Sequence, residues 1–128
     1  RVGDKARVFD ADAAAALEER ARELKREFPA LGSQRRLMDG GTCEATAFGL
    51  SGYRTIGFAF PLGNYHNVGP KAVAAEFIAE KDFLDGIHLL TAFAARGVDL
   101  AGAHRRLRAA AAGRFGPAEL RRLTRTAR

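Results

Sequence analysis

A single cysteine, Cys43, is all the chain contains. An internal disulfide is therefore excluded, and a lone thiol points to a reducing compartment, the cytoplasm. No apolar run approaches the roughly 18 residues that a membrane span requires. A basic start, apolar middle and small-residue cleavage site are also missing, so no secretory leader is read. There is no internal repeat, and no low-complexity segment beyond the alanines at 109–112. Aromatic residues nearly vanish after residue 96, which argues against base stacking on nucleic acid there.

What is present describes a folded domain. Apolar residues make up 47% of the 128 and charged residues 28%, which is ordinary for a globular chain and unlike a disordered one. The net charge of +6 is unevenly spread. Residues 1–96 carry 13 basic and 13 acidic groups, whereas residues 97–128 carry 8 and 2. The excess belongs to a basic C-terminal extension, read as a solvated helical face. The expected division is thus a domain over 1–96 and a helical extension over 97–128.

Hydrophobic spacing suggests strands alternating with helices. Val2–Asp4 and Ala6–Phe9 read as short strands, and Asp10 or Asp12 as a helix cap. Leu17, Ala21, Leu24 and Phe28 recur at the spacing of one buried helical face, ended by Pro29. Ser33–Met38, the nearly all-apolar Thr55–Phe60, and Ala74–Ala79 are strand candidates. A short helix falls between Thr42 and Leu50, with Gly52 as its stop. Asp82 is expected to cap a helix that buries Phe83, Leu84, Ile87, Leu90 and Ala94. Asp99 caps a further helix, and Pro117 opens the last one. The expected fold class is α/β, a sheet flanked by helices.

Chemistry concentrates in two loops at strand ends. The first is Gly40-Gly41-Thr42-Cys43-Glu44, where glycines allow close backbone approach and Thr42 and Glu44 add a hydroxyl and a carboxylate. The second, Pro61-Leu62-Gly63-Asn64-Tyr65-His66-Asn67, presents four polar side chains in a row after an apolar segment. His88 and His104 sit on helices without ligand-spaced partners and read as structural or surface residues.

Together, Met38-Asp39-Gly40-Gly41-Thr42-Cys43-Glu44-Ala45, Gly52-Tyr53-Arg54-Thr55-Ile56-Gly57 and Pro61–Asn67 resemble the C-terminal part of a zinc-dependent exopeptidase. The relevant superfamily holds the di-metal aminopeptidases and carboxypeptidases. The resemblance spans residues 1–96 and implies the C-terminal portion of an α/β/α sandwich. It makes His66 the last ligand of a zinc ion, or of another divalent metal. Gly40, Gly41, Thr42 and Glu44, with Asn64, Tyr65 and Asn67, would line the cleft for a peptide or small amide substrate. Two departures stand out: Cys43 separates Thr42 from the acid, and no arginine precedes Tyr65.

The family's other ligands have no counterpart. No His-x-Asp occurs, and the only Glu-Glu, Glu18-Glu19, lies in a helical segment where neighbours diverge by about 100°. One histidine does not hold zinc firmly or activate its water. The chain, which opens on Arg1, is accordingly read as a C-terminal fragment of a metallopeptidase, inactive alone. It is expected to associate with a missing N-terminal part or with itself, and not with nucleic acid or membrane. The alternative is a non-catalytic assembly domain that contacts a partner through its basic extension.

Overall fold

The computed structural model describes residues 2–38 and 41–126. Among these residues five α-helices follow one another: α1 (Ala11–Glu27), α2 (Glu44–Leu50), α3 (Glu80–Ala95), α4 (Leu100–Arg114) and α5 (Pro117–Thr126). A single 3-10 turn, Tyr65–Asn67, interrupts the long segment between α2 and α3.

The α/β architecture expected from sequence, a sheet with flanking helices, does not form. Among the described residues there is no sheet, only isolated bridges between Gly3 and Val8, Gly63 and Phe77, and Val68 and Val73. Single backbone bonds reach the strand candidates, but they form no ladder among the described residues. Val2 donates to Arg36, Gly3 accepts from Met38, and Asp10 donates to Thr55. A ladder needs a neighbour running alongside for several residues, and none does so here. The α/β/α sandwich implied by the resemblance is corrected with it.

The core is instead made where α1 meets α3. Ala21 and Leu24 of α1, Leu31 of the following turn, and Leu89 of α3 form one buried cluster, with Leu17, Phe58 and Ala92 packed against it. On α1 the expected face is buried at Ala21 and Leu24, but Phe28 is left half exposed. The helix ends at Glu27, so Phe28 leaves the helical register and stacks over His88 instead.

On α3 the expected face is turned outward. Gly86 and Leu89 are buried, while Phe83, Leu84, Ile87 and Leu90 remain 39–48% exposed. The cause is close approach at Gly86, where an added Cβ would lie 2.2 Å from Cε1 of Phe60. Phe58 and Phe60 rest on that bare backbone and set the helix's rotation. Asp82 is not the cap either, since α3 begins at Glu80 behind Ala79.

The α4 helix lies along α1, where Gly102 and Ala103 are buried and small side chains permit close packing. Arg106 of α4 pairs with Glu19 of α1. Asp99 caps α4 by accepting from the Gly102 N–H at 2.7 Å, as its position suggests. No helix among the described residues is long and apolar enough to cross a membrane.

Asp10 begins α1 and holds a second element to it. One carboxylate oxygen accepts from the Ala13 N–H at 2.8 Å, and the pair receives Arg54 from the segment before Thr55. The Arg54 guanidinium holds the Asp10 carboxyl below its ordinary range. Asp10→Ala is expected to cost about 1–2 kcal/mol, the loss of a helix cap with its neighbouring ion pair. Asp10→Asn should recover roughly half of that, because it keeps the cap acceptor. Urea denaturation of the three proteins checks the order.

Candidate functional site

The first loop is built from the N-terminal hairpin. Gly3 bridges Val8, and a tight turn brings the Asp4 N–H to the Arg7 carbonyl at 3.0 Å. Asp4 itself is 6% exposed and is the only buried charged residue among those described. Its Oδ1 accepts from the N–H groups of Ala6 and Arg7, closing its own turn. Its Oδ2 accepts from the Cys43 N–H at 2.9 Å and the Thr46 hydroxyl at 2.5 Å. The Lys5 N–H donates to the Gly41 carbonyl. Two consecutive hairpin residues thus hold both ends of the loop that runs into α2.

These bonds explain the ionisation of Asp4. The Thr46 hydroxyl has the largest effect, and the Cys43, Ala6 and Arg7 amides add to it. Burial opposes them and is outweighed, so the carboxyl sits far below its ordinary range. Sequence reasoning placed Asp4 in a strand and missed this role. The available signal was Asp4-Lys5 between two short extended segments, a turn in which aspartate accepts from the backbone two and three residues on.

Within the loop, Glu44 is the first residue of α2, where a carboxylate suits a helix start. Cys43 is its N-cap position and half-buried, and it makes no side-chain cap. Thr42 is exposed. Gly40 lies outside the described residues.

The second loop is pinned from several directions. Gly63 and Phe77 exchange two backbone bonds, at 2.8 and 3.1 Å. The Asn64 amide donates to the Ala75 carbonyl, and the Asn67 side-chain oxygen accepts from the Glu76 N–H. Glu76 in turn accepts from the His66 N–H at 2.8 Å. Asn64 and Asn67, expected to position an imidazole or meet substrate, direct these side-chain bonds at the loop's own frame.

The held backbone is unusual. Asn64, His66 and Asn67 have φ of 51°, 59° and 61°. Asparagine and histidine enter the left-handed region more readily than most residues, yet the conformation still costs a non-glycine residue roughly 1 kcal/mol. The result is an exposed imidazole beside Tyr65, with ring centroids 4.0 Å apart. Among the described residues the His66 ring nitrogens make no hydrogen bond. Of the other two histidines, His88 stacks on Phe28, and His104 Nδ1 lies 3.0 Å from Asp12.

The two loops meet in part. Gly41, Thr42 and Tyr65 line one groove of about 920 Å³, walled by residues 33–38 and 56–62 and floored by α1 and α3. His66 and Asn67 line a separate, shallower concavity with Val68–Val73. Glu44 and Asn64 line neither. No three His, Cys, Asp or Glu side chains among the described residues lie close enough together to hold a metal ion. Comparison with protein families, with curated proteins and with solved structures found no match.

Proposed function

We propose that this chain contributes His66 as one metal ligand, and Gly41, Thr42 and Tyr65 as part of a substrate cleft, to a metal-dependent hydrolase of peptide or amide bonds. The observation that carries this reading is His66 itself. Its backbone is held in a left-handed conformation by Glu76 and two asparagines, and its exposed ring nitrogens make no hydrogen bond among the described residues, unlike His104 Nδ1, which faces Asp12. Local strain of this kind is retained where it serves a site. The motif residues around it, which resemble those of zinc-dependent exopeptidases, supply the choice of metal and substrate.

One imidazole is not a metal site, so the described residues alone do not fit a zinc centre. In this reading the remaining ligands come from another polypeptide, and this chain contributes to hydrolysis only within that assembly. The single free cysteine, Cys43, supports a reducing compartment such as the cytoplasm for the assembly.

Titration with Zn²⁺, followed by NMR of the imidazole protons, tests the ligand role without any activity readout. His66 is expected to respond at Zn²⁺ concentrations at least ~10-fold below those that move His104, whose Nδ1 already faces Asp12. The His66→Gly variant should lose the response and still fold, since glycine accepts the left-handed backbone without cost. Equal response of the three histidines would refute the assignment.

A further inference from the structure

One side of α3, at Gly86 and Leu89, faces the core, and another side carries an open apolar stripe. Phe83, Ile87, Leu90 and Ala94 follow at spacings of four, three and four, which keeps them on one line along the helix. The three large side chains remain 39–47% exposed, and Ala94 is exposed with them. Phe83 rests against Phe60, with ring centroids 5.6 Å apart, yet its outer half stays open. Asp85 turns elsewhere, toward the Gly32 N–H and Lys81. No charged residue stands on the stripe from Phe83 to Ala94, so a partner chosen by charge finds nothing there to read.

The order of side-chain sizes along the stripe is self-complementary. A two-fold axis that crosses it midway between Ile87 and Leu90 generates an antiparallel copy. That copy sets Ile87 against Leu90 twice, and Phe83 against Ala94 at both ends. The largest side chain then meets the smallest, and the two of middle size meet each other, which fills space evenly. A parallel copy would oppose Phe83 to Phe83 and Ala94 to Ala94, crowding one end and leaving a gap at the other.

We infer that α3 pairs with α3 of a second copy of this chain, antiparallel about that axis, through Phe83, Ile87, Leu90 and Ala94. The interface is small, below about 1,200 Å² in total, so half-dimerisation is expected near ~100 μM. None of the residues assigned to metal or substrate lies in the stripe, so dimerisation and the zinc response of His66 can each fail alone.

Sedimentation equilibrium of the full chain tests the pairing. Between ~10 and ~300 μM the mean mass should rise from that of one chain towards that of two. Ile87→Glu, at the centre of the stripe, should weaken the dimer ~10-fold or more. Ala94→Phe should weaken it ~10-fold too, because it opposes two phenylalanines, although it adds apolar surface. Phe83→Ala should also weaken it, and combining Phe83→Ala with Ala94→Phe should restore it to within ~3-fold, since large and small have only exchanged ends. Far-ultraviolet circular dichroism checks that each variant keeps its helices. Should Phe83→Ala unfold through loss of its contact with Phe60, Ile87→Glu and Ala94→Phe decide the matter. A chain that stays monomeric at ~300 μM would overturn the inference, as would a dimer that Ile87→Glu leaves intact. Tighter association of Ala94→Phe would mean that apolar area alone holds the copies together, and would overturn it also.

Discussion

Asp4→Ala is expected to lower the melting temperature by roughly 10 °C and to release the loop from Gly41 to Glu44. The carboxylate serves four donors, the N–H groups of Ala6, Arg7 and Cys43 and the Thr46 hydroxyl. Alanine leaves all four without their acceptor at a site that is 6% exposed. A buried donor without an acceptor is more damaging than a hydrogen bond is helpful. Cys43 provides a local readout: its thiol should react faster with a disulfide reagent once its backbone is no longer tied to the hairpin. Unchanged thiol reactivity alongside a lowered melting temperature would mean that Asp4 holds the hairpin but not the loop.

The same residue sets an acid limit. Its folded carboxyl lies far below the ordinary value, mainly through Thr46, whereas in the unfolded chain it titrates near ~3.9. The stabilisation is therefore fully present above that unfolded value, and it is lost as pH falls below it toward the folded one. Asp4→Asn cannot titrate. The gap in melting temperature between wild type and Asp4→Asn should narrow steadily from pH 5 downward, and a constant gap would refute the linkage.

Leu24→Ala should be the most damaging apolar truncation, costing about 3 kcal/mol. Leu24 is 5% exposed and stands in the cluster with Ala21, Leu31 and Leu89. Such a loss is a large fraction of the 5–15 kcal/mol typical of a domain, and this chain buries few large side chains. None is fully enclosed among the described residues. The variant is expected to keep its helical far-ultraviolet circular dichroism and to bind a hydrophobic dye at 25 °C, as a loosely packed state does. Leu90→Ala, one position along on the exposed side of α3, serves as the control. It should change stability by less than about 1 kcal/mol.

That contrast shows where the sequence was legible. The caps at Asp10 and Asp99, Pro117 at the start of α5, and α2 between the glycine loop and Gly52 all follow from local rules. A cap depends only on residues three or four positions away. The rotation of α3 does not. Phe83, Leu84, Ile87 and Leu90 have the spacing of a buried face, yet Gly86 and Leu89 are inside because two phenylalanines from a distant segment need the bare helix at Gly86. The sheet was over-read for a related reason. Thr55–Phe60 has the composition of a central strand, but a strand exists only when other segments run beside it.

The candidate site divides in the same manner. The residues of both loops, and the prominence of His66 among three histidines, were visible as a pattern of glycine and polar side chains after apolar runs. The amino-acid order by itself determined the caps of α1 and α4, the location of the two loops and the segregation of positive charge beyond residue 96. Tertiary structure decided that Asp4 holds the first loop, that Glu76 and two asparagines hold His66 in a left-handed turn, and that Gly41, Thr42 and Tyr65 line one groove. Those outcomes depend on groups 9 to 42 residues apart in sequence becoming neighbours, and local propensity carries no record of such contacts.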